Sequence, residues 1–302
     1  MIEVPEEFAA GQVECNGAAG RAFAAALPGL AARFLARWGL RRDGAVMYGM
    51  CALVLPVVRE DGRPAALKLQ LVDDETVGEP VALRAWGAAD AGVVGLLEHD
   101  VGTGAMLLER LDERRPLAGL ADARAAVEVL ARSLARLVTV PAPVGMRRLG
   151  DAAARMLEAA PGAAAALSDE GERRLLRDCA AAVREVAGEP GDRLLHWDLH
   201  YDNILAGRTE EGRAHRWVAL DPKPLAGDPG FELFPALANR FDAAEVLWRF
   251  DLLTETAGLD RERARAWTLG RVLQNAVWSA GDGARRLAAE HVEIARLLLR
   301  RN

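Results

Sequence analysis

The chain has 302 residues, 51% of them hydrophobic and 27% charged, with a formal net charge of −6. That length builds one large domain or two lobes with cores of their own, and the acidic balance argues against a nucleic-acid-binding protein. The three cysteines, Cys15, Cys51 and Cys179, are widely spaced and form no CxxC or zinc pattern, which suits a reducing compartment with buried free thiols.

The opening residues, MIEVPEEFAAGQ, are acidic and lack the basic stretch and apolar core of a signal peptide. Apolar runs further on are broken by Arg and Pro before they reach the ~20 residues a membrane span needs. A cytoplasmic protein without a membrane anchor is expected. Phe23, Leu27, Leu30, Phe34 and Trp38 recur at steps of three and four, which predicts an amphipathic helix over 20–39. Residues 45–58 are rich in Val, Leu and Met and are interrupted at Gly49. Glu60 to Pro64 is a turn, and Ala65–Val72 is strand-like, with one lysine, Lys68, among apolar residues. A helix is expected to start near Glu79-Pro80, since proline is tolerated in a first turn. Two strands joined by DVGTG follow, ending in AMLLERL.

After Pro116 the texture changes. Residues 120–138 and 168–187 are Ala/Leu/Arg helices with apolar faces, Arg216–Asp221 is a strand, and helical patterns dominate from 232 onward. Strands thus concentrate before about residue 112 and helices after it, an α+β arrangement of two lobes.

One stretch, HWDLHYDNIL (196–205), crowds two His, two Asp and an Asn between apolar flanks. Asp198 and Asn203 are five residues apart, and Asp221 follows eighteen residues later at the end of WVALD. A carboxylate to orient an attacking hydroxyl, with an Asn and an Asp offering oxygens to Mg²⁺, suits phosphoryl transfer, which needs positioning and charge neutralisation above all. The plain alternative is a polar turn whose side chains cap backbone amides. The absence of a G-x-G-x-x-G after an early strand excludes a Rossmann oxidoreductase.

The spacing resembles the kinase loop H-R-D-x-x-x-x-N followed by D-F-G, with Trp197 in place of Arg and Pro222-Lys223 after Asp221. The longer string LLHWDLHYDNILAG…WVALDPKPLAGDPGFEL is similar to the aminoglycoside phosphotransferases, in the branch holding streptomycin 6-kinases and hydroxyurea-type phosphotransferases, and most of all to the streptomycin enzymes. The resemblance implies a protein-kinase-like bilobal fold. Residues 1–111 would form a small antiparallel nucleotide-binding lobe with a leading helix, and 112–302 a helical lobe with the catalytic loop, metal site and acceptor pocket.

By the same resemblance Asp198 is the catalytic base, and Asn203 and Asp221 are the Mg²⁺ ligands. Lys68 grips ATP phosphates. Its partner is Glu79 in the segment EPVALRAW, with Glu75 as the alternative. Glu109, Arg110 and Leu111 offer backbone groups to the adenine edge. The nucleotide loop, MYGMCA, holds only Gly49 and leaves the choice between ATP and GTP open. His196 and His200 hold the loop in shape, Asp228 ties the following segment back to it, and Lys223 touches a phosphate or pairs with Asp202.

The implied acceptor is streptomycin, a dicationic aminocyclitol whose phosphorylation confers resistance. A pocket for it wants several carboxylates. Glu232, Asp251, Glu255, Asp282 and Glu290 are the candidates, with Trp248, Trp267 and Trp278 as stacking surfaces. A small neutral acceptor such as hydroxyurea needs no acidic wall. Another antibiotic or a metabolite as acceptor and a pseudokinase scaffold are the further alternatives, and the intact Lys68, Asp198, Asn203 and Asp221 set argues against the scaffold.

Overall fold

The computed structural model describes residues 2–208 and 215–300. The chain opens with helix α1 (Glu6–Arg37), which starts well before the stretch whose apolar spacing announces it. Its second half buries Phe23, Leu27, Ala31 and Phe34, as that spacing requires. Its first half is set at an angle by Gly17, whose φ of 55° and ψ of −124° interrupt the helical ladder. Beyond the kink the two halves touch at Gly20, where a Cβ would lie 1.8 Å from the Gln12 carbonyl oxygen.

Next come β1 (Arg41–Arg42), β2 (Met47–Tyr48), β3 (Ala52–Val58) and β4 (Pro64–Gln70). Helix α2 (Glu79–Ala88) follows, then β5 (Leu96–His99) and β6 (Met106–Glu109). The strands make one antiparallel sheet in the order β1-β3-β4-β6-β5, with β2 also paired to β3. Side chains alternate between its faces. Leu53, Leu55 and Val57 of β3 and Ala65, Leu67 and Leu69 of β4 pack with Phe23, Leu27 and Phe34 of α1. Ala66 and Lys68 therefore point to the opposite face. There Ala66, Met106 and Leu108 join Trp86 of α2 in a larger core. Trp86 Nε1 donates to the Leu137 carbonyl at 3.1 Å, which ties α2 to the helices beyond the sheet.

β7 (Asp112–Pro116) leaves this sheet and pairs with β9 (Ile204–Ala206), which also pairs with β10 (Trp217–Ala219). β8 (Arg193–Leu195) pairs with β11 (Leu225–Gly227). Around these small sheets lie α3 (Ala123–Leu137), α4 (Leu149–Ala166), α5 (Glu170–Val186), α6 (Leu233–Ala238), α7 (Val246–Ala257), α8 (Arg261–Gly281) and α9 (Ala289–Arg300). Asp122, Asp169 and Asp260 cap α3, α5 and α8 by accepting from their first-turn amides. α4 was not anticipated from the sequence. It is an alanine run with Pro161 inside it, so its apolar periodicity is faint. No helix of the described residues is long and apolar enough to cross a membrane. The cysteines are unpaired, but only Cys179 is buried: Cys15 is exposed and Cys51 half-buried, contrary to the expectation of three buried thiols.

Candidate active site

Two loops run between the same pair of small sheets. One leaves β8 and enters β9, carrying residues 196–203. The other leaves β10 and enters β11, carrying residues 220–224. Backbone bonds lash them together: Lys223 N–H donates to His196 O at 3.0 Å and Leu220 N–H to Asn203 O at 3.0 Å. This lashing, not proximity along the chain, brings the two polar clusters side by side.

The cluster is completed by Lys68, whose strand turns it toward the loops. Its Nζ donates to Glu79 Oε1 and Oε2 at 2.7 and 2.8 Å and to Asp221 Oδ1 at 2.5 Å. Gln70 Nε2 adds a bond to Glu79 Oε2 at 2.8 Å. Burial pulls Lys68 down, but the Asp221 and Glu79 carboxylates outweigh it and hold the ammonium above its ordinary value. Burial raises Glu79 despite Lys68, while Lys68 outweighs burial at Asp221 and lowers it. Glu75 stands elsewhere, 4.0 Å from both Arg147 Nη1 and Lys223 Nζ.

Asp198 lies 3.6 Å from Lys223 Nζ and 4.0 Å from His200 Nε2. Its backbone carbonyl accepts from Asn203 Nδ2 at 2.8 Å. That bond commits the amide nitrogen and leaves Asn203 Oδ1 for a ligand. Asp221, with one oxygen on Lys68, has the other left over. Two protein oxygens facing one cleft suit Mg²⁺, a hard cation that keeps several waters and takes phosphate oxygens for the rest of its shell.

Lys68, Asn203 and Asp221 line a cleft of about 390 Å³. Its walls include Val54, Ala66, Val94 and Leu108, and Glu109, Arg110 and Leu111 lie at its edge where β6 ends. The Glu109 N–H is used by Gly95 O at 2.8 Å and its carboxylate by the Gly95 N–H at 3.0 Å. Tyr48 and Gly49 line the same cleft at the β2–β3 hairpin. The glycine-poor hairpin is braced from outside: Gln12 Nε2 donates to Met50 O at 2.7 Å, and Tyr48 Oη to Glu7 Oε2 at 2.9 Å.

Asp198 opens onto a second cleft, of about 360 Å³, that also holds Glu75, Trp197, Lys223, Arg271, Trp278 and Asp282. Among the five carboxylates considered for an acidic wall, only Asp282 is here. Asp251 is held by Arg261 at 2.7 Å, and Glu255 and Glu290 sit on α7 and α9. Trp267 is core, packed edge-on against Phe231, and Trp248 lies under Arg124 on another face.

Glu232 is neither solvated nor part of this wall. It is buried and accepts from the His196 and Trp197 N–H groups at 3.0 and 2.6 Å. Burial pushes its carboxyl up to about 7 against those two donors. This corrects the role given to Asp228, which accepts from Gly230 N–H at 2.8 Å and pairs with Arg263 instead of reaching the catalytic loop. The brace falls on a strained residue: Trp197 has φ +65°, and Asp221 has φ +59°. Left-handed backbone at a non-glycine residue costs about 1 kcal/mol or more and persists only when its surroundings enforce it. The Trp197 indole, where kinases carry Arg, is buried between the guanidinium groups of Arg147 and Arg271, 4.4 and 5.3 Å from its ring.

His196 is fully buried. Its Nε2–H donates to Leu220 O at 3.0 Å, and burial drops its pKa to about 4, so it is a neutral tie between the two loops. His200 accepts from the Asp202 N–H at 3.3 Å and so shapes the turn. Asp202 bonds Asn239 Nδ2 at 3.0 Å, so Lys223 pairs with Asp198 and Glu75 and not with Asp202. Sequence reasoning missed Gln12, Arg147 and Arg271. Only Arg271 left a trace: it is a lone charge in the apolar helical stretch TLGRVLQNAVW.

An antiparallel sheet set against helices, with a buried Lys–Glu pair beside an Asp/Asn/Asp loop cluster, defines a phosphotransferase of the protein-kinase-like class. More narrowly, the chain belongs to the aminoglycoside/hydroxyurea antibiotic resistance kinase family, whose model matches residues 37–300. It is 61% identical over 303 residues to a hydroxyurea phosphotransferase of Kitasatospora aureofaciens, spanning 100% of this chain and 87% of that protein. It is 52% identical over 306 residues to a streptomycin 6-kinase of Streptomyces glaucescens, spanning 99% and 97%. Its fold is shared with a choline/ethanolamine kinase family protein from Mesorhizobium loti (TM-score 0.59, 17% identity, 86% and 87% covered). It is shared as well with an aminoglycoside phosphotransferase solved with ADP and hygromycin B (TM-score 0.58, 14% identity, 89% and 97% covered).

Proposed function

We propose that the chain transfers the γ-phosphoryl group of ATP to the hydroxyl of a small acceptor, with residues 1–111 forming the nucleotide lobe and 112–302 the acceptor lobe. One observation carries this reading. Lys68, Asn203 and Asp221 line one cleft, Asp198 lines the other, and a single bond from Asn203 Nδ2 to Asp198 O joins the two walls. ATP lies in the first cleft, its base among Val54, Ala66, Val94 and Leu108 and its edge on the backbone of Glu109 and Leu111. Lys68, aimed by Glu79, meets its phosphates. Asn203 and Asp221 would hold Mg²⁺, which supplies charge neutralisation at the phosphates when bound.

The acceptor hydroxyl sits on Asp198. Its oxygen attacks the γ-phosphorus, the bond from that phosphorus to the β–γ bridging oxygen breaks, ADP leaves, and the hydroxyl proton passes to the Asp198 carboxylate. Lys223 Nζ stands 3.6 Å from that carboxylate.

The acceptor is hydroxyurea or a near relative. The acidic wall that a dication wants is not assembled: of the three carboxylates in the acceptor cleft, Asp198 and Glu75 each have Lys223 within 4.0 Å, and Arg271 adds a second cation. The 61% identity to a hydroxyurea phosphotransferase supports the same choice. Streptomycin is the second reading, favoured by the 52% identity to a streptomycin 6-kinase and by Asp282, which forms no ion pair among the described residues.

Purified protein with Mg²⁺-ATP should yield phosphorylated hydroxyurea and ADP in equal amounts by mass spectrometry. Asp198→Asn should lower kcat by ~10²–10⁴-fold with an unchanged melting temperature. Wild-type turnover by Asp198→Asn would remove Asp198 from the mechanism. Transfer to streptomycin alone would replace the acceptor and leave the phosphotransferase reading standing.

A further inference from the structure

Arg271 is the unexplained charge of the acceptor cleft. It sits in the middle of α8, is only 7% exposed, and has no carboxylate within 4.0 Å among the described residues. A buried guanidinium is ordinarily paired, because desolvating a charge without a partner is costly. Here the nitrogen bonds go almost unused: Nη1 meets Gln274 Oε1 at 3.1 Å, and Nε is buried with no acceptor. What keeps the group in place is aromatic. Its central carbon lies 5.3 Å from the ring centroids of both Trp197 and Phe231, within cation–π range. Burial draws its pKa down to about 10, and the fields of Asp198 and Glu232 oppose the fall, so it stays charged at neutral pH.

The rings hold the guanidinium against the catalytic loop, in the cleft that Asp198 shares. A small molecule whose hydroxyl rests on Asp198 therefore presents its neighbouring atoms to a planar set of idle N–H donors. In an N-hydroxy amide, such as hydroxyurea, the atom two bonds from the hydroxyl nitrogen is a carbonyl oxygen, the acceptor such a donor set lacks.

We propose that Arg271 is the specificity-determining residue for the acceptor, donating to the carbonyl oxygen beside the hydroxyl that is phosphorylated. The inference rests on the reading of this cleft as the acceptor site. It explains how a site without an acidic wall selects: a hydroxyl-bearing molecule lacking the carbonyl leaves the buried guanidinium unsatisfied, and a cationic acceptor is repelled by it.

The test compares hydroxyurea with hydroxylamine, which keeps an N–OH and has no carbonyl, in the wild type, Arg271→Gln and Arg271→Lys, with the KM for ATP measured alongside. The wild type should prefer hydroxyurea in kcat/KM. Arg271→Gln should raise the hydroxyurea KM by ~10–100-fold, leave the KM for ATP within about twofold, and shrink the preference over hydroxylamine by a similar factor. Arg271→Lys, which keeps the charge and loses the planar fork, should fall between, and it carries the test alone if Arg271→Gln does not fold.

A preference that survives in the folded variants overturns the role of Arg271 and leaves the acceptor assignment intact. So does a parallel rise of both KM values with a lowered melting temperature, the mark of a merely structural residue. Failure of the wild type to phosphorylate any N-hydroxy amide overturns the acceptor and the role of Arg271 together.

Discussion

Two buried titratable residues, His196 and Glu232, set the catalytic loop, and they respond to pH in opposite senses. His196 titrates near 4 in the fold against an ordinary 6.5, so the stability tied to its neutral form is complete above 6.5 and is lost as pH falls toward 4. Glu232 titrates near 7 against an ordinary 4.5, so its contribution is complete below 4.5 and is lost as pH rises to 7. Between 4.5 and 6.5 the two slopes oppose each other and largely cancel. Glu232→Gln removes one of them. The gap between about 7 and 4.5 corresponds to ~3 kcal/mol that the wild type loses over that window and the variant does not. The stability deficit of Glu232→Gln should therefore be largest near pH 4.5 and shrink toward pH 7, with the variant gaining stability from pH 4 to 6.5 through His196. Chemical denaturation at pH 5 and 7 measures this. A deficit that does not change with pH would show that Glu232 is ionised throughout.

Helix α1 spans two roles, divided at Gly17. Its second half covers one face of the main sheet through Phe23, Leu27 and Phe34. Its first half reaches the β2–β3 hairpin, where Gln12, only 1% exposed, holds the Met50 carbonyl. Glycine-rich loops fit phosphates because their backbone is free to approach them. A glycine-poor one needs its backbone held in position, and Gln12 does that from a neighbouring element. Gln12→Ala should raise the KM for ATP about fivefold, the equivalent of one net hydrogen bond of ~1 kcal/mol, and leave the acceptor KM unchanged. Steady-state kinetics with ATP varied at saturating acceptor reads this. Equal effects on both substrates would mean that the helix supports the whole fold and not the hairpin.

At the scale of the molecule, the sheet and the helical part meet at the cleft lined by Lys68 and Asn203, and Lys68 crosses it to Asp221, 153 residues away in sequence. ATP with Mg²⁺ would contact both sides at once. Ligand held only by the folded state adds ~2.7 kcal/mol at a hundred times its Kd, several degrees in melting temperature for a chain of this size. A non-hydrolysable ATP analogue with Mg²⁺ should produce that shift, and Lys68→Met should abolish most of it. An unshifted wild type would mean that the cleft is not a nucleotide site.

The α+β character, the strand carrying Lys68, the helix beginning at Glu79 and the Asp198–Asn203–Asp221 spacing are all legible in the chain, because each rests on local periodicity or on a short spacing along the sequence. The resemblance of EPVALRAW points to Glu79 as the partner of Lys68 with Glu75 as the alternative, and the fold places Glu79 on Lys68 and Glu75 beside Arg147. What no local pattern carried is the long-range support. Glu232 bonds the Trp197 amide from 35 residues away, Gln12 bonds Met50 from 38, and Arg271 reaches the cleft beside Asp198 from a helix whose apolar pattern announces only a core. Such partners have no fixed spacing, since they are chosen by which surfaces pack and which buried donors and acceptors must be satisfied there. The same holds for the charge of the cleft beside Asp198. The sequence alone determined the spacing of Asp198, Asn203 and Asp221, whereas only the packing of α8 decided that Arg271 stands in the cleft with Asp198, because a buried cation's place is set by the surfaces that pack around it.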